Sequence, residues 1–318
     1  MRRPCIVRPV KYSLALVFAA LFWAGNYVVG AVAVQSISPL DLNWWRWTLA
    51  SVPLLVLAQL IEKPDWRAVL RHWPRLLLLA ALGLTGYTLL LYGALQFTTP
   101  QSASLVNAAN PAVMVVLAAL LLHERMGWRG ILGLLVSLFG VLLVITDGAL
   151  ASVLSLRFNL GDLLMLGAIV VWSLYTIFGR GLKVPPITAT AVQAGMVAVL
   201  MAPVAVAGGV SWPAEAPIAW ALVYIVVFPS IGSYLLWNIG AHGMPAGRAG
   251  LYLNLITVFT VVIAVALGAV LTVPQLLGGL IVFAGVALSS LRPARTDAPA
   301  PRDAPIEVSP PLPGAKKP

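Results

Sequence analysis

The chain has 318 residues, of which 60% are hydrophobic and only 9% are charged, and its formal net charge is +10. Soluble domains carry about 25% charged residues, so this composition excludes an ordinary soluble domain and predicts a surface that faces lipid. Cys5 is the only cysteine, which excludes an intrachain disulfide and a cysteine-based metal site.

Long apolar stretches recur between short charged breaks. A helix needs about 20 apolar residues to cross the hydrocarbon core of a membrane. The first stretch has a basic flank like that of a signal peptide, but it is too long, and polar Asn26 interrupts it, so we expect a retained helix. In chain order, the predicted spans are residues 12–34, 42–61, 76–97, 103–122, 130–146, 163–179, 187–210, 218–241, 249–271 and 275–291.

The positive residues predict an orientation. Of the 20 Lys and Arg residues, only Arg46 and Arg157 fall on one side of the predicted bundle. Cytoplasmic loops hold the excess of Lys and Arg, so both termini are expected in the cytoplasm and the chain in the cell membrane. This distribution explains the positive charge without a nucleic-acid partner.

The two halves repeat each other at an offset of about 145–149 residues. Residues 23–30 of span one match residues 172–179 of span six, and Gly133 and Gly140 of span five match Gly278 and Gly285 of span ten. Because five is odd, the second copy enters the membrane from the opposite side, which predicts an inverted repeat with a site near the midplane. The predicted fold is all-α, with ten transmembrane helices. Its segments are a cytoplasmic N-terminus (1–11), two five-helix repeats (12–146 and 163–291), an external loop (147–162) and a disordered Pro-rich cytoplasmic tail (292–318).

These motifs, in this order, resemble the EamA-type branch of the drug/metabolite transporter superfamily. The resemblance spans residues 12–291 and is carried by Trp23-Ala24-Gly25-Asn26, Ser38-Pro39-Leu40 with Arg46, Ala103-Ser104-Leu105, Asn110-Pro111, His123-Glu124-Arg125, Gly133 to Gly140-Val141, Gly161-Asp162-Leu163-Leu164 and Trp172. It implies a secondary exporter of amino acids, metabolites or toxic compounds. Span nine departs from it, since Thr257 and Ala269 stand where span four has Pro111 and Glu124.

Aromatic and amide side chains inside the spans are the candidate substrate-binding residues. An amide in hydrocarbon must find a hydrogen-bond partner, so each is expected to face the bundle interior. Alternating access is predicted at a cavity walled by spans one, three, four, six, eight and nine, with spans five and ten peripheral. The candidates are Trp23, Asn26, Tyr27, Arg46, Tyr87, Tyr92, Asn107, Asn110, Trp172, Tyr175, Trp237, Asn238, Tyr252 and Asn254.

Two charged positions each have two interpretations. Arg46 either faces the cavity and meets an anionic group such as a carboxylate, or snorkels to the interface within a belt of Trp44, Trp45 and Trp47. Glu124 either clamps a basic neighbour at the end of span four or couples transport to protons.

Three function classes follow from these residues. A carrier of small metabolites such as amino acids is favoured by the aromatic and amide interior. A carrier of phosphorylated or nucleotide-linked sugars would need several interior cations, and Arg46 is the only candidate. A non-transporting scaffold is the third class. Metal-protease, hydrolase and phosphate-loop motifs are absent from the sequence, so we expect no enzyme, no cofactor and no ATP-driven cycle. The expected partners are a small-molecule substrate and the lipid bilayer.

Overall fold

A computed structural model gives the fold of residues 7–290, except 99, 124–125, 147, 152–158, 211, 214, 269 and 271. The predicted Pro-rich tail, half of the external loop and both interpretations of Glu124 lie outside the residues that it describes. Within those residues the regular structure is entirely helical.

The first half holds eight α-helices. They are α1 (Val7–Ala33), α2 (Pro39–Leu57), α3 (Trp66–Leu70), α4 (Trp73–Leu79), α5 (Tyr87–Ala94), α6 (Pro100–Asn107), α7 (Asn110–Leu122) and α8 (Trp128–Thr146). Two π-helical segments, Ala58–Glu62 and Ala80–Gly86, extend α2 and join α4 to α5 without a break.

The second half holds seven α-helices. They are α9 (Leu160–Gly179), α10 (Pro186–Ala207), α11 (Ala216–Ile225), α12 (Ser233–His242), α13 (Ala246–Gly250), α14 (Leu255–Ala266) and α15 (Val273–Ser290). A π-helical segment, Val226–Gly232, joins α11 to α12, and a 3-10 segment, Leu251–Asn254, joins α13 to α14.

Seven continuous helical stretches in the described part of the chain are long and apolar enough to cross a membrane. Three shorter apolar helices, Asn110–Leu122, Trp128–Leu143 and Val273–Leu288, lie at the predicted spans four, five and ten. Span four differs from the prediction because α6 ends and α7 begins around Ala108–Ala109. Pro111 stands in the first turn of α7, where its missing N–H costs no helical hydrogen bond. The total of ten spans remains a prediction.

Local signals fix several helix starts. The Ser38 side chain accepts a hydrogen bond from the Asp41 backbone N–H at 3.1 Å, and Pro39 begins α2. Asn159 and Asp162 form a reciprocal capping box at the start of α9. Such caps satisfy the backbone N–H groups that have no partner in the first helical turn.

The two halves interlock. The main packed helix pairs join the first half to the second: α8 with α15, α2 with α10, α1 with α12, α5 with α9, α1 with α14, α7 with α13, and α7 with α9. Exchanging each span of one half for its counterpart in the other half leaves this set of pairs unchanged. The packing therefore has the symmetry that a two-fold relation between the halves requires.

Glycines bring α8 and α15 into backbone contact. A methyl group added at Gly140 would lie 2.7 Å from the Gly278 carbonyl oxygen, and one added at Gly285 would lie 2.6 Å from the Ser137 nitrogen. Small residues allow this approach where lipid supplies no hydrophobic driving force between helices.

Candidate functional site

A cluster of aromatic rings fills the centre of the bundle. The Trp172 ring centroid lies 4.9 Å from that of Trp23, 5.5 Å from those of Trp237 and Tyr234, and 4.8 Å from that of Tyr87. These rings come from α1, α5, α9 and α12, so both halves supply them. We call this set, together with Trp47 and Tyr175, the aromatic cluster; Trp47 is 4.9 Å from Tyr234, and Tyr175 is 5.1 Å from Trp172.

Two indole N–H groups in the aromatic cluster have no hydrogen-bond partner. Trp23 is 3% exposed and Trp172 is 1% exposed, and Nε1 of each contacts no acceptor among the residues that the structure describes. Trp47 differs, since its Nε1 donates to the Leu84 carbonyl at 2.8 Å. A buried donor without an acceptor is costly. The two free indoles are thus donors that a ligand can satisfy.

The Arg46 guanidinium lies beside the cluster in a network of neutral groups. Its Nε donates to Ser230 Oγ at 2.8 Å, and one Nη donates to the Tyr92 hydroxyl at 3.0 Å. The Tyr92 hydroxyl in turn donates to Asn26 Oδ1 at 2.9 Å, and Ser230 Oγ donates to the Ile225 carbonyl. The guanidinium also stands over the Trp47 ring, 4.9 Å from its centroid.

The charge of Arg46 is buried without a carboxylate partner. Arg46 is 2% exposed, and the described part of the chain places no acidic side chain within ion-pair distance of it. The only other buried charged group there is Asp162, which bonds to Thr98 and to the Asn159 backbone. A buried guanidinium with only neutral partners leaves a site at which an anion is stabilised.

The interfacial interpretation of Arg46 does not match this geometry. A snorkelling arginine exposes its guanidinium, whereas Arg46 points into the bundle. Trp47, predicted to lie in an interfacial belt, is fully buried, while Trp44 and Trp45 are half-buried. The position of Arg46 in the sequence predicts how deep it lies along α2. The direction of its side chain depends on the rotation of α2 about its own axis, which the sequence does not give.

A second polar chain leaves the cluster toward α10. The Tyr175 hydroxyl donates to Asn238 Oδ1 at 3.2 Å, and Asn238 Nδ2 donates to Thr190 Oγ1 at 2.9 Å. Asn238 is partly exposed, whereas Tyr175 is buried. This chain links the aromatic cluster to the cleft described below.

The structure brings ten of the sequence candidates into or beside the cluster, including Tyr27, which is buried one helical turn after Trp23 on α1, and separates four from it. Asn110 is joined to α9, because Ser173 Oγ donates to Asn110 Oδ1 at 3.3 Å, and Asn107 pairs with Asn110. Tyr252 donates to Ser13. Asn254 donates to Ser137 of α8 at 2.8 Å and so tethers a helix expected to be peripheral. The cluster therefore draws on span two, whereas spans four and nine supply none of its rings.

Three comparisons bear on this arrangement. The model of the EamA-like transporter family matches residues 10–146 and again residues 159–291. The chain belongs to the EamA-like transporter family. The helices described above are accordingly those of a multi-pass membrane transporter.

Relatives of this EamA-like transporter are also named as transporters. An uncharacterized transporter, YyaM, of Bacillus subtilis (strain 168) is 29% identical over 286 residues, covering 88% of this chain and 93% of YyaM. A protein of Streptantibioticus cattleyicolor named "Probable terminal-alkyne amino-acid exporter" is 29% identical over 288 residues, covering 89% of this chain and 94% of that protein. One solved crystal structure matches with a TM-score of 0.71 at 21% identity, over 87% of this chain and 96% of that one, and it supports the fold.

Three residues of the site in this transporter, two of them in the aromatic cluster, were not among the sequence candidates. Tyr234 precedes Trp237 by three residues and shares its helix face, which was a usable signal. Trp47 follows Arg46 directly, but its burial depends on how α2 is rotated. Ser230 lies in a π-helical segment that no periodicity indicates. Among the described residues, no group of His, Cys, Asp and Glu is placed to hold a metal.

Proposed function

We propose that this transporter exports small amphipathic carboxylates, such as amino acids with large apolar side chains, from the cytoplasm across the cell membrane. The observation that carries the proposal is the buried Arg46 charge, which has only neutral partners and lies against an aromatic cluster. A carboxylate supplies the missing negative charge through charge-assisted hydrogen bonds, and the rings receive the apolar side chain.

The surroundings of Arg46 suit one carboxylate better than a phosphate. The hydroxyls of Ser230 and Tyr92 already accept from the guanidinium, which leaves its second Nη without a hydrogen-bond partner among the described residues. A phosphate or a nucleotide-linked sugar carries more charge and calls for several cations. The other buried side chains in the described part of the chain carry no second positive charge. We therefore rank phosphorylated sugars below carboxylates.

The direction of transport and the orientation in the membrane are part of the same proposal. Lys63, Arg75 and Arg180 lie at one end of the bundle, which we call the basic end. The excess of positive charge supports a cytoplasmic position for this end. The name of the Streptantibioticus relative refers to amino-acid export, and this similarity supports the same direction for solutes carried by this chain.

A flux assay in proteoliposomes tests the proposal. Purified protein is reconstituted and loaded with phenylalanine, and uptake of radiolabelled phenylalanine by exchange is compared with uptake into protein-free liposomes. We expect exchange above the protein-free background, competed by other apolar amino acids and not by glucose 6-phosphate. Competition by the sugar phosphate alone would reverse the ranking, and the absence of exchange across an amino-acid panel would overturn the proposal.

A further inference from the structure

A narrow cleft opens at the basic end and reaches the aromatic cluster. It encloses about 400 Å³, open solvent at its mouth included, between α4, α9, α10 and α12. Its inner wall contains Tyr175, Trp237 and Asn238, so it ends at the polar chain that leaves the cluster. The cleft therefore connects the basic end with the proposed substrate site.

Two polar atoms in the wall of this cleft have no partner. Gln193 is 1% exposed and Thr176 is 5% exposed, and Gln193 Oε1 and Thr176 Oγ1 contact no hydrogen-bonding group among the described residues. Such groups lose hydration on burial and regain a partner when a polar solute passes. The lining is thus suited to a solute with a polar head and an apolar body.

The loop between α9 and α10, residues 180–185, covers the cleft. Leu182 and Val184 of this loop are buried, and Leu182 lines the cleft directly. Gly181 has a φ of +69°, a conformation that favours glycine, and a methyl group there would meet no atom within 4 Å. Two buried apolar residues thus anchor the loop, and Gly181 is a position at which its backbone can bend.

Charged side chains from the first half hold both ends of this loop. Arg75 at the start of α4 donates from Nε and Nη2 to the Phe178 carbonyl at 3.0 and 2.7 Å, and also to the Arg180 carbonyl. These carbonyls belong to the C-terminal end of α9, where a cation is favourable.

Glu62 holds the other end of the loop. Its carboxylate accepts from the Ile187 and Thr188 backbone N–H groups at 3.0 and 2.7 Å, and from Thr188 Oγ1 at 2.6 Å. These are orphan donors of the first turn of α10, where an anion is favourable. Glu62 and Arg75 thus join the two halves across the mouth of the cleft; we call them the latch residues.

The opposite end of the bundle is more open. A larger cleft of about 1670 Å³, open solvent included, lies there between the two halves. Its lining residues include Gln35, Thr98 and Glu215. Toward that end, hydrogen bonds between the halves include Thr98 Oγ1 to Asp162 Oδ1 at 3.3 Å, which is long for an O–H donor, and Trp44 Nε1 to the Ala198 carbonyl at 3.0 Å. By the size of the two clefts, the latched end is the more tightly closed of the two.

We infer that the cleft under residues 180–185 is the path by which substrate enters from the basic end, and that Glu62 and Arg75 close it by capping helices of the other half. The inference rests on the proposed function for the identity of the solute. Breaking the latch should open the basic end and expose the wall of the cleft.

Cysteine labelling from one side tests the inference. The reporter is Gln193→Cys in a Cys5→Ser background, and a membrane-impermeant maleimide is added to the basic end in inside-out vesicles. We expect Glu62→Ala or Arg75→Ala to accelerate labelling about tenfold, because losing charge-assisted hydrogen bonds shifts the population toward the open state. Added phenylalanine should slow the accelerated reaction.

Two variants at the same end are matched controls. Asp65 also caps a helix start, accepting from the Arg67 and Ala68 backbone N–H groups, but it does so within its own half. Arg71 is an exposed cation on the same end. Asp65→Ala and Arg71→Ala should leave the labelling rate unchanged. Thr188→Val removes one latch hydrogen bond at nearly constant volume, so it gives a smaller acceleration if the alanine variants fail to fold.

The outcomes separate this inference from the proposed function. Equal labelling rates in latch and control variants, or labelling only from the opposite end, would overturn the entry path even if phenylalanine exchange is robust. Accelerated labelling without phenylalanine protection, in protein that exchanges no amino acid, would uphold the latch and overturn the carboxylate assignment.

Discussion

The α8–α15 contact and the centre of the bundle are both tightly packed, but different chemistry fills them. At the α8–α15 contact, Gly140 and Gly285 let backbone meet backbone. At the centre, large rings pack beside a buried guanidinium, and two indole N–H groups have no partner among the described residues. Close packing of small residues is sufficient to hold helices together in lipid. Unsatisfied polar groups do not help to hold the fold, and under the proposed function those at the centre bind substrate.

The largest effect on transport should come from the guanidinium. Arg46→Gln keeps a polar side chain near Ser230 and Tyr92 but removes the positive charge. We expect exchange of phenylalanine to fall about 100-fold, since removing one partner of a buried charge pair costs about 2–5 kcal/mol. Initial exchange rates, normalised to reconstituted protein, measure this.

Arg71→Gln is the matched control for that change. Arg71 is exposed at the basic end, so losing its charge should leave exchange near the wild-type rate. Equal losses in both variants would point to a general electrostatic effect, and an unchanged rate in Arg46→Gln would remove Arg46 from the site.

A substitution at the α8–α15 contact should change the stability of the protein and not its transport. In Gly140→Ala the added methyl group would press on the backbone at Gly278 and Val282, and overpacking of this kind costs about 1–3 kcal/mol. A lower Tm is expected, with exchange per folded molecule unchanged. Gly195→Ala on α10, where a methyl group meets nothing within 4 Å, should leave the Tm unchanged or slightly raised. A loss of exchange with an unchanged Tm would contradict the structural role of α8 and α15.

The smallest effects should distinguish two tryptophans of the same cluster. Trp172→Phe removes an N–H that has no partner, whereas Trp47→Phe removes one that donates to Leu84. The first should weaken apparent phenylalanine affinity about fivefold, the value of roughly one hydrogen bond. The second should chiefly lower the Tm. Thermal unfolding and exchange titrations on both variants provide the comparison, which fails if the two respond alike.

Much of the fold could be predicted from the sequence, because lipid requires long apolar helices and the family motifs occur in order. Trp23 and Asn26, and Trp172 and Tyr175, lie three residues apart on their helices, so their shared faces were visible as a spacing. Spacing could not show that Asn26 lies at the site while Asn254 bonds a neighbouring helix. A buried amide needs a partner in either place.

Contacts between the halves could not be predicted. Glu62 and Arg75 lie in the charged segment between spans two and three, which predicted only the orientation of the chain in the membrane. Their partners lie over 100 residues further along the chain. The π-helical segments Ala80–Gly86 and Val226–Gly232 occupy corresponding positions, 146 residues apart (226 − 80 = 146). These segments supply the hydrogen-bond acceptors of three site residues: the Leu84 carbonyl for Trp47, the Gly83 carbonyl for Tyr234 and the Ser230 hydroxyl for Arg46. No period of apolar residues in the sequence predicts a π-helical segment.

The most direct test of the central claim is whether Arg46 recognises a carboxylate. Phenylalanine and phenylalaninamide, which differ only in that group, are compared as competitors of phenylalanine exchange in the wild type and in Arg46→Gln. In the wild type we expect the amide to need at least about tenfold higher concentration, the value of one charge-assisted hydrogen bond. In Arg46→Gln the difference should vanish. Equal competition in the wild type, or a preference that persists without Arg46, would contradict the account.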